Sequence, residues 1–201
     1  MTLARRRGSV ERVTRETQIS LRLDLDGGPR RLEVPGGFFA HMLDALATHA
    51  GLGLEIEAEG DTHVDLHHTV EDVGICLGEA LVEALGDRRG LVRFASAYAP
   101  LDEALARSVV DLSGRGFFVY GVPPELEHTW VTQDFPLSLI ADFFQAFADR
   151  GRFTLHLDVL RARNGHHAAE AAFKAVAVAL RQALVQRQDG AMPSTKGTLT
   201  A

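Results

Sequence analysis

The sequence predicts an α+β protein built from two duplicated sheet-and-helix halves, and three observations predict it. Strict apolar–polar alternation marks strands, apolar residues at three- and four-residue steps mark helices, and one stretch of the chain overlies another without a gap. In QISLRLDLDGG, Ile19, Leu21, Leu23 and Leu25 alternate with Ser20, Arg22, Asp24 and Asp26, and a Gly-Gly turn follows. LGLEIEAEGD sets Leu54, Ile56 and Ala58 against Glu55, Glu57 and Glu59. Phe153, Leu155, Leu157 and Val159 alternate again in FTLHLDVLRARNG. A period of two buries one face and exposes the other, as in an open, largely antiparallel sheet.

Four helical segments separate these strands. Val70, Val73, Leu77, Leu81 and Leu85 recur at helical steps from Thr69 to Leu85. Ala172, Val176, Leu180 and Leu184 do so from Ala168 to Leu184, and two shorter helices run from His41 to Ala50 and from Asp142 to Gly151. HMLDALATHAGLGLEIE (41–57) lies over DFFQAFADRGRFTLHLD (142–158), and each copy leads into a double-histidine helix start, HHTVED at 67–72 and HHAAEA at 166–171. Each half therefore reads as strands, helix, strands, helix, a sheet layered against helices. The first repeat spans about residues 8–90, the second about 91–187, and a tail covers 188–201. No linker-like stretch flanks either repeat, so residues 1–201 are expected to form one compact domain.

The bulk numbers narrow the function. Hydrophobic residues at 46% and charged residues at 24% are ordinary for a soluble globular protein. A net charge of −6 without a basic stripe excludes the electrostatic footprint of nucleic-acid binding. No segment approaches membrane-spanning length, and no apolar stretch follows Arg5, Arg6 and Arg7 as in a signal peptide. Cys76, the single cysteine, can form no internal disulfide. A cytoplasmic protein is expected.

The double-histidine starts carry the chemistry. His67 and Glu71 are four apart and share a helix face, while His68 points about 100° away. His166 and Glu170 share a face in the same way, with His167 turned aside. If the two helix starts face each other, two metal sites result, each mixing ligands from both copies. Neutral imidazole with carboxylate suits Mn²⁺, Fe²⁺ or Zn²⁺, and a nitrogen-rich set with open positions suits Mn²⁺ or Fe²⁺. His63 and His156 at polar strand positions, and His128 with no counterpart in the first copy, are read as surface residues.

FFAHMLDALATHAG, GDTHVDLHHTVEDVGICLGEAL, RFASAYAPLDEAL, DLSGR, GHHAAEAAFKAVAVALRQA and PSTKG occur in that order, and together they resemble the imidazoleglycerol-phosphate dehydratase family of histidine biosynthesis. The resemblance runs from about Val10 to Leu199. It implies removal of water from imidazoleglycerol phosphate to give imidazole-acetol phosphate, with two Mn²⁺ per subunit stabilising a deprotonated imidazole. It also implies a homo-oligomer, a 24-subunit cage with active sites at subunit contacts. One metal would take His41, His68, His166 and Glu170; the other would take His67, Glu71, His167 and the residue at position 142. Glu16 is implied as substrate contact and proton carrier. Arg93 and Arg115 would hold the phosphate, and His49, Lys174, Ser194, Thr195 and Lys196 would make further substrate contacts.

The chain departs from that pattern at Asp142, where the resemblance implies a histidine matching His41; Ala40 and Ala95 are smaller departures. Asp142 can ligate directly, ligate through water, or simply start its helix, where aspartate is favoured. Because aspartate reaches less far than histidine, the metal at this site is expected to be the weaker of the two. Two rival readings remain open: a di-metal phosphoester hydrolase, and a cage whose metals only join subunits.

Overall fold

A computed structural model of the chain describes residues 5–199; residues 200 and 201 of the tail lie outside the described residues. Strand β1 (Arg7–Val13) forms a hairpin with β2 (Thr17–Asp24), which pairs antiparallel with β4 (Gly53–Gly60). Strand β3 (Arg30–Glu33) then adds parallel to β4, giving the order β1-β2-β4-β3. The second sheet repeats this order with β5 (Phe94–Leu101), β6 (Ala104–Asp111), β8 (Thr154–Arg161) and β7 (Phe117–Gly121) as β5-β6-β8-β7. The duplication seen in the sequence is thus a duplication of topology. One edge strand in each sheet is parallel because it returns through a helix rather than a tight turn.

The helices are α1 (Gly37–Ala50), α2 (His67–Leu85), α3 (Leu139–Gly151) and α4 (Gly165–Ala183). Each begins before its apolar periodicity does. The first turns of α2 and α4 carry histidines, and those of α1 and α3 are unbroken apolar runs, so neither shows a helical period. Helix α2 packs on β1 and β2, and α4 on β5 and β6. Between the sheets the helices meet across the halves, α2 against α3 and α1 against α4, so the layers run sheet, helices, helices, sheet. The inner-face residues Ile19, Leu21, Leu54, Ile56, Leu155 and Leu157 join helix residues of both halves in one buried cluster.

The two helix seams close by different means. A Cβ on Gly74 would stand 2.6 Å from the Phe143 carbonyl oxygen, and one on Gly78 would stand 2.6 Å from the Gly151 nitrogen. Glycine lets the α2 and α3 backbones touch there. At the other seam α4 is buried through alanine, with Ala168, Ala171, Ala172 and Ala175 all inaccessible. No described helix is long and apolar enough to cross a membrane.

Candidate active site and metal centre

The helix pairs run parallel, and two imidazole–carboxylate clusters form at their N-terminal ends; among the described residues only the first brings three ligand atoms within reach of one ion. His41 on α1 meets His166 and Glu170 on α4. Glu170 Oε2 lies 3.4 Å from His41 Nε2 and 3.3 Å from His166 Nε2. The three ligand atoms lie within 4.8 Å of one another. Donors bound about 2.1 Å from one ion at right angles sit about 3 Å apart, so this spacing fits a shared ion. The other oxygen of Glu170 is held by Lys174 Nζ at 2.6 Å, which leaves Oε2 for the centre. Burial raises the Glu170 carboxyl, but Lys174 and His41 outweigh it and keep the group below its ordinary value. The edge of Phe38 supports the His166 ring at 5.0 Å, and Phe135 packs on Phe38 in turn.

The second cluster pairs His67 and Glu71 on α2 with Asp142 on α3. His67 Nε2 is 3.8 Å from Glu71, and its Nδ1 is 3.4 Å from Asp142. The two carboxylates approach opposite sides of one ring, so this set is more open than the first. Asp142 lies in the first turn of α3, where a negative charge suits the helix N-terminus, but the N-cap position itself is Ser138. A cavity of about 640 Å³ opens beside it, lined by His67, Asp142, Asp65, Trp130 and Gln133.

His68 and His167 stand apart from both clusters. The expected meeting of the two double-histidine starts does not occur, because α2 pairs with α3 and α4 with α1. Instead His68 Nδ1 bonds Asp61 at 3.0 Å, and its Nε2 lies 3.8 Å from Glu16 at the tip of the β1–β2 hairpin. The hydrogen bond to Asp61 raises the His68 pKa. His167 Nδ1 bonds Glu103 at 2.8 Å, with Asp102 4.0 Å from Nε2. That bond, helped by backbone donors, brings Glu103 down to about 2.

The residues expected to contact substrate divide between the two ends of the molecule. Glu16 and Lys174 lie at the ligand end. Arg93 donates its backbone N–H to Ala183 at the far end of α4, about 25 Å from His166 at about 1.5 Å per residue. Its guanidinium grips Asp111 with two donors and the Pro193 carbonyl with a third at 2.7 Å. The tail lies here too: a Cβ on Gly114 would stand 1.8 Å from the Leu199 carbonyl oxygen, which seats the tail beside Arg115. Ser194 closes a turn by accepting the Lys196 N–H, and Thr195 and Lys196 are exposed. His49 sits half-buried in the last turn of α1, away from His41.

Sequence reasoning missed Asp61 and Glu103, which aim the two lone histidines, and Asp72, a buried residue of HHTVED that turns inward to Thr17 and Arg12 and fixes the hairpin carrying Glu16. Glu103 lies in the loop before β6, with no sequence pattern linking it to His167. Asn164 was findable as a helix cap; it accepts from the His166 and His167 N–H groups. His63 falls in a turn rather than on a strand, and His63, His128 and His156 are all exposed.

Fold and clusters define a class, a duplicated α+β enzyme whose imidazole and carboxylate groups are consistent with a metal requirement. The family model for imidazoleglycerol-phosphate dehydratase matches residues 35–180, and the chain belongs to that family. The imidazoleglycerol-phosphate dehydratase of Acidiphilium cryptum is 53% identical over 197 residues, covering 96% of this chain and 99% of its own. That of Halorhodospira halophila is 50% identical, covering 98% and 100%. Among solved structures, imidazoleglycerol-phosphate dehydratase from Staphylococcus aureus is 37% identical with a TM-score of 0.79, covering 90% of this chain and 99% of that one. The Pyrococcus furiosus protein in complex with (S)-C348 is 34% identical with the same TM-score, covering 94% and 100%.

Proposed function

We propose that the chain dehydrates imidazoleglycerol phosphate to imidazole-acetol phosphate in histidine biosynthesis, a cytoplasmic role, with two Mn²⁺ per subunit. The convergence of His41, His166 and Glu170 from opposite halves carries this reading. His41, His166 and Glu170 hold one ion and His67, Glu71 and Asp142 the other, with His68 and His167 of neighbouring subunits completing them. Bound there, the metal supplies Lewis acidity toward the substrate's imidazole and hydroxyl groups. Glu16 takes the proton from carbon, the hydroxyl on the adjacent carbon leaves as water with one proton returned to it, and the resulting enol becomes the ketone product by moving its hydroxyl proton to carbon. No carbonyl flanks that carbon, so a placed carboxylate is needed to move its proton.

Two features support a homo-oligomer, proposed to be the 24-subunit cage. Arg93, Arg115 and the Ser194–Lys196 tail lie too far from their own chain's clusters to share one small substrate with them, so they serve a neighbour's site. The planar fork of Arg115 suits a phosphate, and Arg93, already engaged by Asp111 and Pro193, would offer its remaining N–H groups. The outer face of the second sheet also exposes Phe94, Tyr98, Val109, Phe117 and Val119, whereas the first sheet presents Arg22, Glu55 and Glu57. Exposed apolar side chains of this number support a covering partner, although Asp111, His156 and the Arg107–Asp158 ion pair stand among them. The continuous buried cluster spanning both halves supports a single domain.

The test is Glu16→Gln with imidazoleglycerol phosphate as substrate. Turnover is expected to fall at least about 100-fold, the range for one proton-transfer group, with metal content and assembly unchanged. Retention of most of the wild-type rate rejects Glu16 as the proton carrier. Release of inorganic phosphate instead of a ketone rejects dehydration.

A further inference from the structure

We infer that Glu103 is a positioning residue that presents His167 as a ligand: from the loop joining β5 and β6 it fixes the ring with Nε2 outward and ties that ring to the first turn of α4. This rests on the proposed role of His167 as a ligand to a neighbouring subunit's ion. The two carboxylate oxygens divide the work. Oε2 lies 2.8 Å from His167 Nδ1. A carboxylate only accepts there, so Nδ1 carries the hydrogen, and in the neutral ring that a metal ligand requires the lone pair is on Nε2. Oε1 accepts the backbone N–H groups of Arg163 at 3.2 Å and Asn164 at 3.0 Å.

Asn164 completes the arrangement, its side chain accepting from the His166 N–H at 2.8 Å and the His167 N–H at 3.4 Å. Ring and backbone of His167 are thereby anchored to one carboxylate, directly at one end and through a single residue at the other. Asp61 does less for His68, since both its oxygens face Nδ1, at 3.0 and 3.2 Å. A ligand delivered to an ion on another subunit must be held to about 0.2 Å, and losing such a supporting partner typically costs 10–100-fold in metal affinity.

The experiment strips the assembled protein with a chelator, then titrates it with Mn²⁺ in competition with a chelating dye and counts bound ions by elemental analysis. Glu103→Ala is expected to keep one ion at wild-type affinity and to bind the other about 10–100-fold more weakly. His167→Ala is expected to lose that same ion. If His167→Ala keeps both ions, the ligand reading itself fails. If His167→Ala loses one and Glu103→Ala binds both like the wild type, the positioning role alone is overturned. It is overturned equally if Glu103→Ala only lowers the melting temperature of the stripped protein and leaves the two affinities in their wild-type ratio. Should Glu103→Ala not assemble, Glu103→Gln carries the test. Its amide cannot accept on both sides, so the same single ion is expected to loosen.

Discussion

The His41–His166–Glu170 cluster and the His67–Glu71–Asp142 cluster are equivalent under the duplication, each joining one helix from each half, yet they are built on different terms. In the first, one carboxylate is shared by two imidazoles and balanced by Lys174. In the second, two carboxylates flank one imidazole, and among the described residues neither has a lysine or arginine partner. The position equivalent to Lys174 on α2 is Ile75. The first cluster is therefore preassembled and balanced, whereas the second is open and more negative. Under the proposed function, geometry would favour a divalent ion at the first and charge would favour it at the second, so the two proposed sites would owe their affinities to different physical origins.

The largest expected effect removes a central imidazole from either cluster. His41→Ala and His67→Ala should each lower turnover at least about a thousandfold, as the loss of several kcal/mol of Lewis-acid stabilisation would. Each should also remove one ion by elemental analysis while the other stays. Loss of both ions from either variant would show that the clusters act as one site and would break the comparison.

Asp142 sharpens it further. Asp142→Ala should weaken the second ion roughly 100-fold with the first unaffected, as expected for removal of a charged donor, whereas Asp142→His should bring the two affinities closer together. Competition titration of both variants reads this directly. Two ions held as tightly in Asp142→Ala as in the wild type would exclude ligation by Asp142, whether direct or through water.

The smallest effect concerns the helix seams that place the clusters. Gly78→Ala puts a methyl group against the α3 backbone and should cost about 1–3 kcal/mol of stability. Gly37→Ala in α1 has open space around it and should stay within about 0.5 kcal/mol. Chemical denaturation of the stripped proteins separates the two, and equal stabilities would mean that the α2–α3 backbone contact is not tight.

Much of this could be read along the chain. Alternation in β2, β4 and β8 marked the buried faces, and the helical steps located α1 to α4 to within a turn. The repeated HHxxE pattern identified His67 with Glu71 and His166 with Glu170 as pairs, because a four-residue spacing fixes a shared face whatever surrounds the helix. The first turns of α2 and α4 escaped that reading because they carry histidines, and those of α1 and α3 because Gly37-Phe38-Phe39-Ala40 and Leu139-Ile140-Ala141 are apolar runs without a period.

The sequence by itself determined which side chain lies beside which within one helix, and so which pairs are candidates for the chemistry, because those relations depend on backbone geometry over a few residues. Only the tertiary structure decided the partners across helices. The seam at Gly74 and Gly78 sets α2 against α3, so Asp142 reaches His67; α4 is thereby left to α1, so His41 reaches His166 and Glu170. The same packing leaves His68 and His167 facing outward on Asp61 and Glu103, carboxylates whose loops no periodicity marks. Local geometry repeats along a chain and can be counted there. Contacts between helices depend on how closely two surfaces approach, and that is settled only when both are folded.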